Sequence, residues 1–210
     1  MKLVDLTLPL PSQQNGHPTA TPRRLQLGKG AATYTAIVYD MAHDSMAGTY
    51  LDLPGHIEET DDGQDAATLP VEQLYRLPSA VIHLDREDGS GGIGAAELAG
   101  AAAMDGNPQA LIINALGARR FDEIQERSVY LELDAIDWII ATGVKLLVAD
   151  VYESRALHGV FKALFGAGIA TVCCPINLHQ VTAPTVQLTV LPARIPQVTQ
   201  LPCRVVAELP

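Results

Sequence analysis

A carboxylate and a histidine share one short stretch of this sequence, HDSMAGTYLDLPGHIEE at 43–59. Asp52 stands between Leu51 and Leu53. A carboxylate in such apolar surroundings has to be hydrogen-bonded or to bind a cation, because burying it unpaired is costly. His56 follows four residues later and is of the type that most often moves protons in catalysis. The plain alternative is that Asp52 caps a turn through backbone N–H groups, and that His56 is an ordinary loop histidine.

Two further side chains with possible chemistry lie in the second half of the chain. His158 belongs to ALHGVFKALFGAG at 156–168, and Cys173 belongs to the apolar run IATVCCPINL at 169–178. Imidazole and thiolate are both good ligands for zinc. Taken alone, however, His158 is typical of a partly buried core histidine, and Cys173 is equally typical of core packing because free cysteine is among the most buried residue types.

Short apolar runs with turn residues between them indicate the strands that position these side chains. Strands are predicted at LVDLTLPL, ATYTAIVYDMA, SAVIHL, ALIINAL, VKLLVAD and IATVCCPINL, and in Pro-punctuated segments of the last thirty residues. Helices are predicted at 70–77, 132–142 and 156–168. Pro70 lies in the first turn of the first helix, and Gly143 ends the second. A buried strand often delivers a functional side chain just past its end, here Asp150 or the YES that follows. The mixed order predicts one α/β domain over residues 1–210, with a mixed sheet.

Composition excludes several classes of partner. The formal net charge of −10 argues against nucleic acids and anionic membrane surfaces, which attract clustered Lys and Arg. No apolar run reaches the roughly 18 residues of a membrane span, and the N-terminus lacks a signal pattern. Three cysteines, two of them adjacent, do not form a disulfide framework. We therefore expect a small-molecule ligand and a reducing, cytoplasmic location.

The chain resembles, nearly end to end, the cyclase family, which includes bacterial kynurenine formamidases and isatin hydrolases. The family signature H-x-G-T-H-x-D-x-P-x-H corresponds here to M-A-G-T-Y-L-D-L-P-G-H at 46–56. The segments IDWIIATGVKLLVADVYES and LHGVFKALFGAGI resemble the family's central helix and strand and its late helix. The resemblance implies a swivelling β/β/α fold and assembly into a homodimer or homotetramer.

The resemblance also implies a metal site that this sequence departs from. In the family, the two leading histidines and the aspartate hold a divalent ion, usually zinc or manganese, and the last histidine acts as acid and base. Met46 and Tyr50 replace the leading histidines, whereas Asp52 and His56 are retained. His158 matches a second-site histidine on the late helix. The remaining ligand, a glutamate, falls on Cys173.

Three interpretations follow. In the first, one zinc or manganese ion remains on Asp52, His158 and Cys173 and activates water while His56 moves protons. In the second, Cys173 attacks as a metal-free nucleophile, activated by His158, with Tyr50 or His56 donating a proton. In the third, no metal binds and the protein is a catalytically silent ligand-binding or oligomeric member.

The leading prediction is a hydrolase of a small amide, ester or lactam-like bond, similar to an arylformamidase but with a remodelled site. His56 and Tyr50 are the predicted catalytic residues, and Met46 is the predicted substrate contact. Met46 and Tyr50 are equally good fillers of a cavity that a metal no longer occupies. The cofactor is one zinc or manganese ion, or none, and the silent member is the runner-up.

Overall fold

Strands dominate the computed structural model, which describes residues 2–84, 86, 91–104, 106–125, 128–152 and 159–210. The described helices are α1 (Ala95–Ala101), α2 (Leu133–Ala141) and α3 (Val160–Gly166). The strands are β1 (Lys2–Asp5), β2 (Gln13–Gln14), β3 (His17–Pro18), β4 (Ala20–Leu27), β5 (Tyr34–Met41), β6 (Tyr50–Asp52), β7 (Leu77–His83), β8 (Gly91–Ile93), β9 (Ala110–Asn114), β10 (Val129–Leu131), β11 (Leu146–Ala149), β12 (Ala170–Cys173), β13 (Thr185–Pro192) and β14 (Gln200–Leu209).

The main sheet has eight strands in the order β1-β14-β13-β7-β9-β11-β12-β6, and it closes on itself. Closure arises because β14 pairs with β13 along one edge and with both β1 and β6 along the other. Strands β7, β9, β11 and β12 run parallel. Strand β13 pairs antiparallel with β7 and β6 pairs antiparallel with β12, while β14 is antiparallel to both β13 and β6. The predicted mixed sheet in a single α/β domain is therefore confirmed.

Apolar side chains pack on both faces of this closed sheet, as expected when helices cover the outside of parallel strands. On β9, Ile112 faces the barrel interior, whereas Leu111 and Ile113 face outward. The interior cluster also contains Leu51 of β6 and Val172 of β12. The outer cluster includes residues of α1, α2 and α3. The parallel strands β9 and β11 thus have two buried faces, which explains their continuous apolar sequences, whereas β13 alternates between buried and more exposed residues.

Strands β4 and β5 form a two-stranded ribbon of their own, separate from the main sheet. Its eight pairs run from Ala20 opposite Met41 to Leu27 opposite Tyr34, and neither strand joins the barrel. Most of its side chains are exposed, including the large apolar residues Ile37, Tyr39 and Met41. These three lie on one face of β5 because strand side chains alternate.

Most predicted elements are present, and one is wrong. The helix predicted at 70–77 is only a 3₁₀ turn, Val71–Gln73, because β7 already begins at Leu77 and Arg76 adopts a left-handed φ of 50°. Strand β4 and helix α1 were not predicted. The first residues of the helix predicted at 156–168 lie outside the described residues, and α3 accounts for the rest. None of the described helices has the length and apolar character needed to cross a membrane.

Candidate active site

The pairing of β6 with β12 and β14 brings the candidate side chains together. Tyr50 lies opposite Cys173, and Asp52 lies opposite Thr171 on one side and Gln200 on the other. Because Leu51 points into the barrel interior, Tyr50 and Asp52 point to its outer face. Three strands that are distant in sequence therefore build one polar patch on an otherwise apolar surface.

The turn before β6 is fixed by the side-chain hydrogen bonds of Thr49 and by the backbone conformation of Gly48. Thr49 Oγ1 donates to the carbonyl of Cys174 at 2.7 Å and accepts the N–H of Leu8 at 2.7 Å. Gly48 has a φ of 65°, and a Cβ atom there would stand 2.7 Å from the Leu8 carbonyl oxygen. Only glycine fits this backbone, and its placement sets where β6 begins.

Asp52 is a buried carboxylate, 3% exposed, and one of its two oxygens lacks a hydrogen-bond partner among the described residues. Its Oδ2 accepts a hydrogen bond of 3.2 Å from Gln200 Nε2. Among the residues that the structure describes, Oδ1 has no hydrogen-bond partner, and the Nδ1 atom of His56 lies 3.9 Å from it. Burial raises the pKa of Asp52 to about 6, against the opposing effects of His56 and Gln200.

Gln200 and Ser45 are site residues that sequence reasoning missed. Ser45 Oγ donates to Gln200 Oε1 at 2.7 Å, which turns the amide nitrogen of Gln200 toward Asp52. Gln200 is 6% exposed. A glutamine at the start of the last strand gives no sign, in sequence, of contact with a residue near position 50. The only indication in the sequence was that Gln200 is a polar residue at the start of a mainly apolar strand.

Tyr50 and Cys173 face each other as neutral groups. Burial is the largest cause that raises the pKa of Cys173 far above its ordinary value, and the charge of Asp52 adds to it. Burial likewise raises the pKa of the Tyr50 hydroxyl, with Cys173 as the next contributor, and the two side chains share a hydrogen bond. A protonated buried thiol is a poor nucleophile. Cys173 therefore lacks the environment that the second interpretation requires.

A cavity of about 200 Å³ opens beside this pair. Its aromatic and thiol lining comes from Tyr50, Phe121, Tyr152, Phe161, Cys173 and Cys174. The rings of Tyr152 and Phe161 stack with their centroids 5.3 Å apart. The hydroxyl of Tyr152 donates to the carbonyl of Val172 at 2.7 Å and accepts the N–H of Ala149 at 3.0 Å, so this wall is held in place. Such a lining suits a flat apolar group.

Asp150, the residue expected to follow its strand with a functional side chain, lines the same cavity. Its carboxylate accepts the backbone N–H groups of Ala115 and Leu116. Burial raises the pKa of Asp150 to about 6 despite these bonds. Because its acceptor capacity is largely used by the backbone, Asp150 holds the loop after β9 in position. The Glu153 and Ser154 of the YES segment lie outside the described residues.

The remaining predicted site residues have different outcomes. His56 ends a 3₁₀ turn, Pro54–His56, and its side chain is 41% exposed beside Asp52. Met46 is 56% exposed and does not line the aromatic cavity. His158 lies outside the described residues, so its predicted place in the metal set stays a prediction.

The described donors do not fit a divalent metal ion. Within the described ranges, no group of three or more His, Cys, Asp and Glu side chains is arranged to hold a metal. Zinc and manganese favour imidazole, carboxylate or thiolate, whereas Tyr50 and Cys173 are neutral and bonded to each other. Asp52 contributes one carboxylate, half of which is already bonded to an amide.

Several solved structures share this fold. An isatin hydrolase bound to the product analogue thioisatinate matches with a TM-score of 0.71 and 18% identity over 100% of this chain and 92% of that one. Isatin hydrolase A from Labrenzia aggregata, bound to benzyl benzoate, gives 0.68 and 18% over 98% and 93%. A "predicted metal-dependent hydrolase" from Bacillus stearothermophilus gives 0.65 and 20% over 98% and 97%. At these identities the likeness establishes the fold.

The family follows from the sequence itself. The family model Cyclase, described as "Putative cyclase", matches residues 4–154, which include the whole motif stretch. The chain belongs to this family, as the resemblance implied. A search of curated proteins gives no significant match.

Proposed function

We propose that this protein hydrolyses a small amide, ester or lactam-like bond next to a flat apolar group, with Asp52 and His56 handling the proton. The observation that carries the proposal is the unpartnered Oδ1 of Asp52, buried and 3.9 Å from His56 Nδ1. A buried carboxylate oxygen without a partner is costly, and a bound water or a substrate N–H would satisfy it. A water molecule held by both groups is the natural nucleophile.

The two side chains suit a shared acid and base role. A general base works best when its pKa lies near the working pH, and burial moves that of Asp52 to about 6. As the water oxygen attacks the carbonyl carbon, its proton passes to the Asp52–His56 pair. The same pair then returns a proton to the leaving nitrogen or oxygen as the C–N or C–O bond breaks.

Tyr50 is proposed as a hydrogen-bond donor in this reaction. Its raised pKa keeps the hydroxyl protonated, so it can donate to a carbonyl oxygen but cannot act as a base. It lines the aromatic cavity and lies two residues from Asp52 on the same face of β6. Met46, whose side chain is exposed, remains the predicted substrate contact.

The aromatic cavity supports a ring-bearing substrate. Two of the structures with the same fold hold aromatic molecules, thioisatinate in one and benzyl benzoate in the other. A volume of about 200 Å³ is enough for one small ring system. We therefore propose isatin, N-formylkynurenine and aryl esters as the first substrates to assay.

The test is turnover of these compounds in the presence of a chelator. We expect Asp52→Asn and His56→Gln each to lower kcat by about 100-fold or more, since each removes a proton-transfer group. His43→Gln and Asp62→Asn are matched controls, because both residues are exposed and outside the site. Cys173→Ser should retain most activity. Activity that survives both site substitutions, or that needs added zinc, would contradict the proposal.

The silent ligand-binding protein is the second candidate, and the replacement of ionisable ligands by Met46, Tyr50 and Cys173 favours it. Its prediction is that the aromatic compounds bind without turnover. Isothermal titration with thioisatinate, together with a null result in every hydrolysis assay, would select it over the hydrolase.

A further inference from the structure

We propose that the side-chain amide of Gln200 takes the position of a cation on Asp52, so that this site operates without a divalent metal ion. Gln200 is then a positioning residue that acts through Asp52. The inference concerns the site of the proposed function and rests on it in taking Asp52 as the working carboxylate.

The contact is built into the closure of the barrel. Gln200 stands directly opposite Asp52 in the β6–β14 register, and both residues are almost fully buried. Ser45 donates to Gln200 Oε1, so the amide has one orientation, with Nε2 as the donor to Asp52 Oδ2. An ionised carboxylate can accept hydrogen bonds but cannot donate them, so Asp52 needs a donor such as the amide of Gln200.

Amide and metal compete for the same space at Oδ2. A zinc ion lies about 2.0–2.2 Å from a carboxylate oxygen. Nε2 of Gln200 stands 3.2 Å from Oδ2. An ion on that side of the oxygen would overlap the amide nitrogen, so metal binding at Oδ2 requires Gln200 to move and breaks its bond to Ser45.

The other neighbours of Asp52 do not supply the positive charge that a metal ion would bring. Tyr50 and Cys173 are neutral and paired with each other. His56 Nδ1 faces the second oxygen, Oδ1, at 3.9 Å. Asp52 thus has a neutral amide at Oδ2 and an imidazole beside Oδ1. This arrangement leaves the carboxylate able to take up and release a proton, whereas a carboxylate bound to a metal ion would serve as its ligand.

The decisive experiment replaces the amide by a carboxylate. Gln200→Glu places two carboxylates in hydrogen-bond contact, and like charges at that distance need a proton or a cation between them. We expect the Tm of Gln200→Glu to fall by several degrees in chelator and to recover on addition of Mn²⁺ or Zn²⁺. The wild-type Tm should not respond to either ion.

The matched control is Gln26→Glu, because Gln26 Nε2 also donates to a side chain, but to the neutral hydroxyl of Thr35 on the exposed ribbon. Its Tm should not depend on metal. Near-stoichiometric zinc or manganese in wild type purified without chelator would overturn the proposal, as would a metal response in Gln200→Glu no larger than in Gln26→Glu.

A second measurement on wild-type protein covers the case in which Gln200→Glu fails to fold. The ¹⁵N spectrum should contain a slowly exchanging side-chain NH₂ pair from Gln200 that shifts in Asp52→Asn and is unchanged by excess Zn²⁺. A shift of this pair on addition of Zn²⁺ would contradict the inference. None of these readouts needs turnover, so an inactive protein would refute the hydrolase and leave the inference standing.

Discussion

At the scale of single residues, Asp52 shows how a protein sets the behaviour of one carboxyl group. Loss of solvent raises its pKa, while the nearby imidazole of His56 and the amide of Gln200 lower it. Burial is the largest of these effects, so the net pKa rises to about 6. At neutral pH the buried Asp52 is therefore ionised, which makes the folded protein less stable than it would be with a neutral group there, as is common at functional sites.

This cost predicts that Asp52→Asn stabilises the protein while inactivating it. A carboxyl group whose pKa is higher in the folded than in the unfolded state makes the folded protein less stable as the pH rises between the two pKa values. For Asp52 these values are about 4 and about 6. The shift of roughly two units corresponds to at most about 3 kcal/mol. We expect Asp52→Asn to raise the free energy of unfolding at pH 8 and to have little effect at pH 4.

Urea denaturation of both proteins at the two pH values measures this difference. Asp62→Asn serves as the control, since Asp62 lies in an exposed loop. A variant that is less stable than wild type at pH 8 would show that the contacts of the Asp52 carboxylate outweigh its desolvation.

Some site residues could be predicted from sequence and others could not. Asp52 and His56 were identified because they lie four residues apart in one recognisable motif. Gln200 is brought to Asp52 by strand pairing across 148 residues, and no local pattern encodes such a contact. Ser45 lies within the motif stretch, but its role depends on Gln200 and was equally hidden.

At the scale of elements, the turn before β6 controls the register of the site. Gly48→Ala would place a methyl group 2.7 Å from the Leu8 carbonyl oxygen and force an L-residue into a left-handed φ. The conformation alone costs about 1–2 kcal/mol, and the overpacking adds about 1–3 kcal/mol.

Gly63→Ala isolates the conformational part of this cost. Gly63 has a φ of 78°, and a Cβ atom there would meet nothing within 4 Å. We expect Gly48→Ala to lower the free energy of unfolding clearly more than Gly63→Ala, and to lower activity as well. Equal losses in the two variants would show that Leu8 moves aside freely.

The elements themselves were predicted unevenly, for physical reasons. Buried strands such as β9 and β11 are continuous apolar runs and were identified correctly. The false helix at 70–77 has an acceptable local spacing, but Leu74 and Leu77 are used to fill the barrel interior instead. The strand β4 was missed because it lies on an exposed ribbon, and its sequence therefore has no apolar alternation to detect.

At the scale of the whole molecule, the ribbon suggests how copies of this chain assemble. Ile37, Tyr39 and Met41 form an apolar stripe that is more than half exposed on one face of β5. Exposed apolar patches of this kind commonly mark interaction surfaces. We expect a second copy of the chain to cover the stripe, in keeping with the predicted homodimer or homotetramer.

Light scattering coupled to size-exclusion chromatography tests this assembly. Tyr39→Glu should shift the protein toward the monomer, because a charge in an apolar interface is costly to bury. Tyr34→Glu is the matched control, since Tyr34 is equally exposed at 59% but lies on the opposite face of the ribbon. A wild-type monomer at micromolar concentration would refute the expectation.

The joining of β6 to β14 closes the barrel and also brings Gln200 to Asp52. The same seam includes the bonds from Leu53 N–H to the Thr199 carbonyl and from Cys203 N–H to the Thr49 carbonyl. Any fluctuation that opens this seam therefore also breaks the hydrogen bond from Gln200 to Asp52. In native-state hydrogen exchange, the amides of Leu53 and Cys203 should share one opening free energy, and that energy sets the fraction of molecules in which Gln200 contacts Asp52 at any instant.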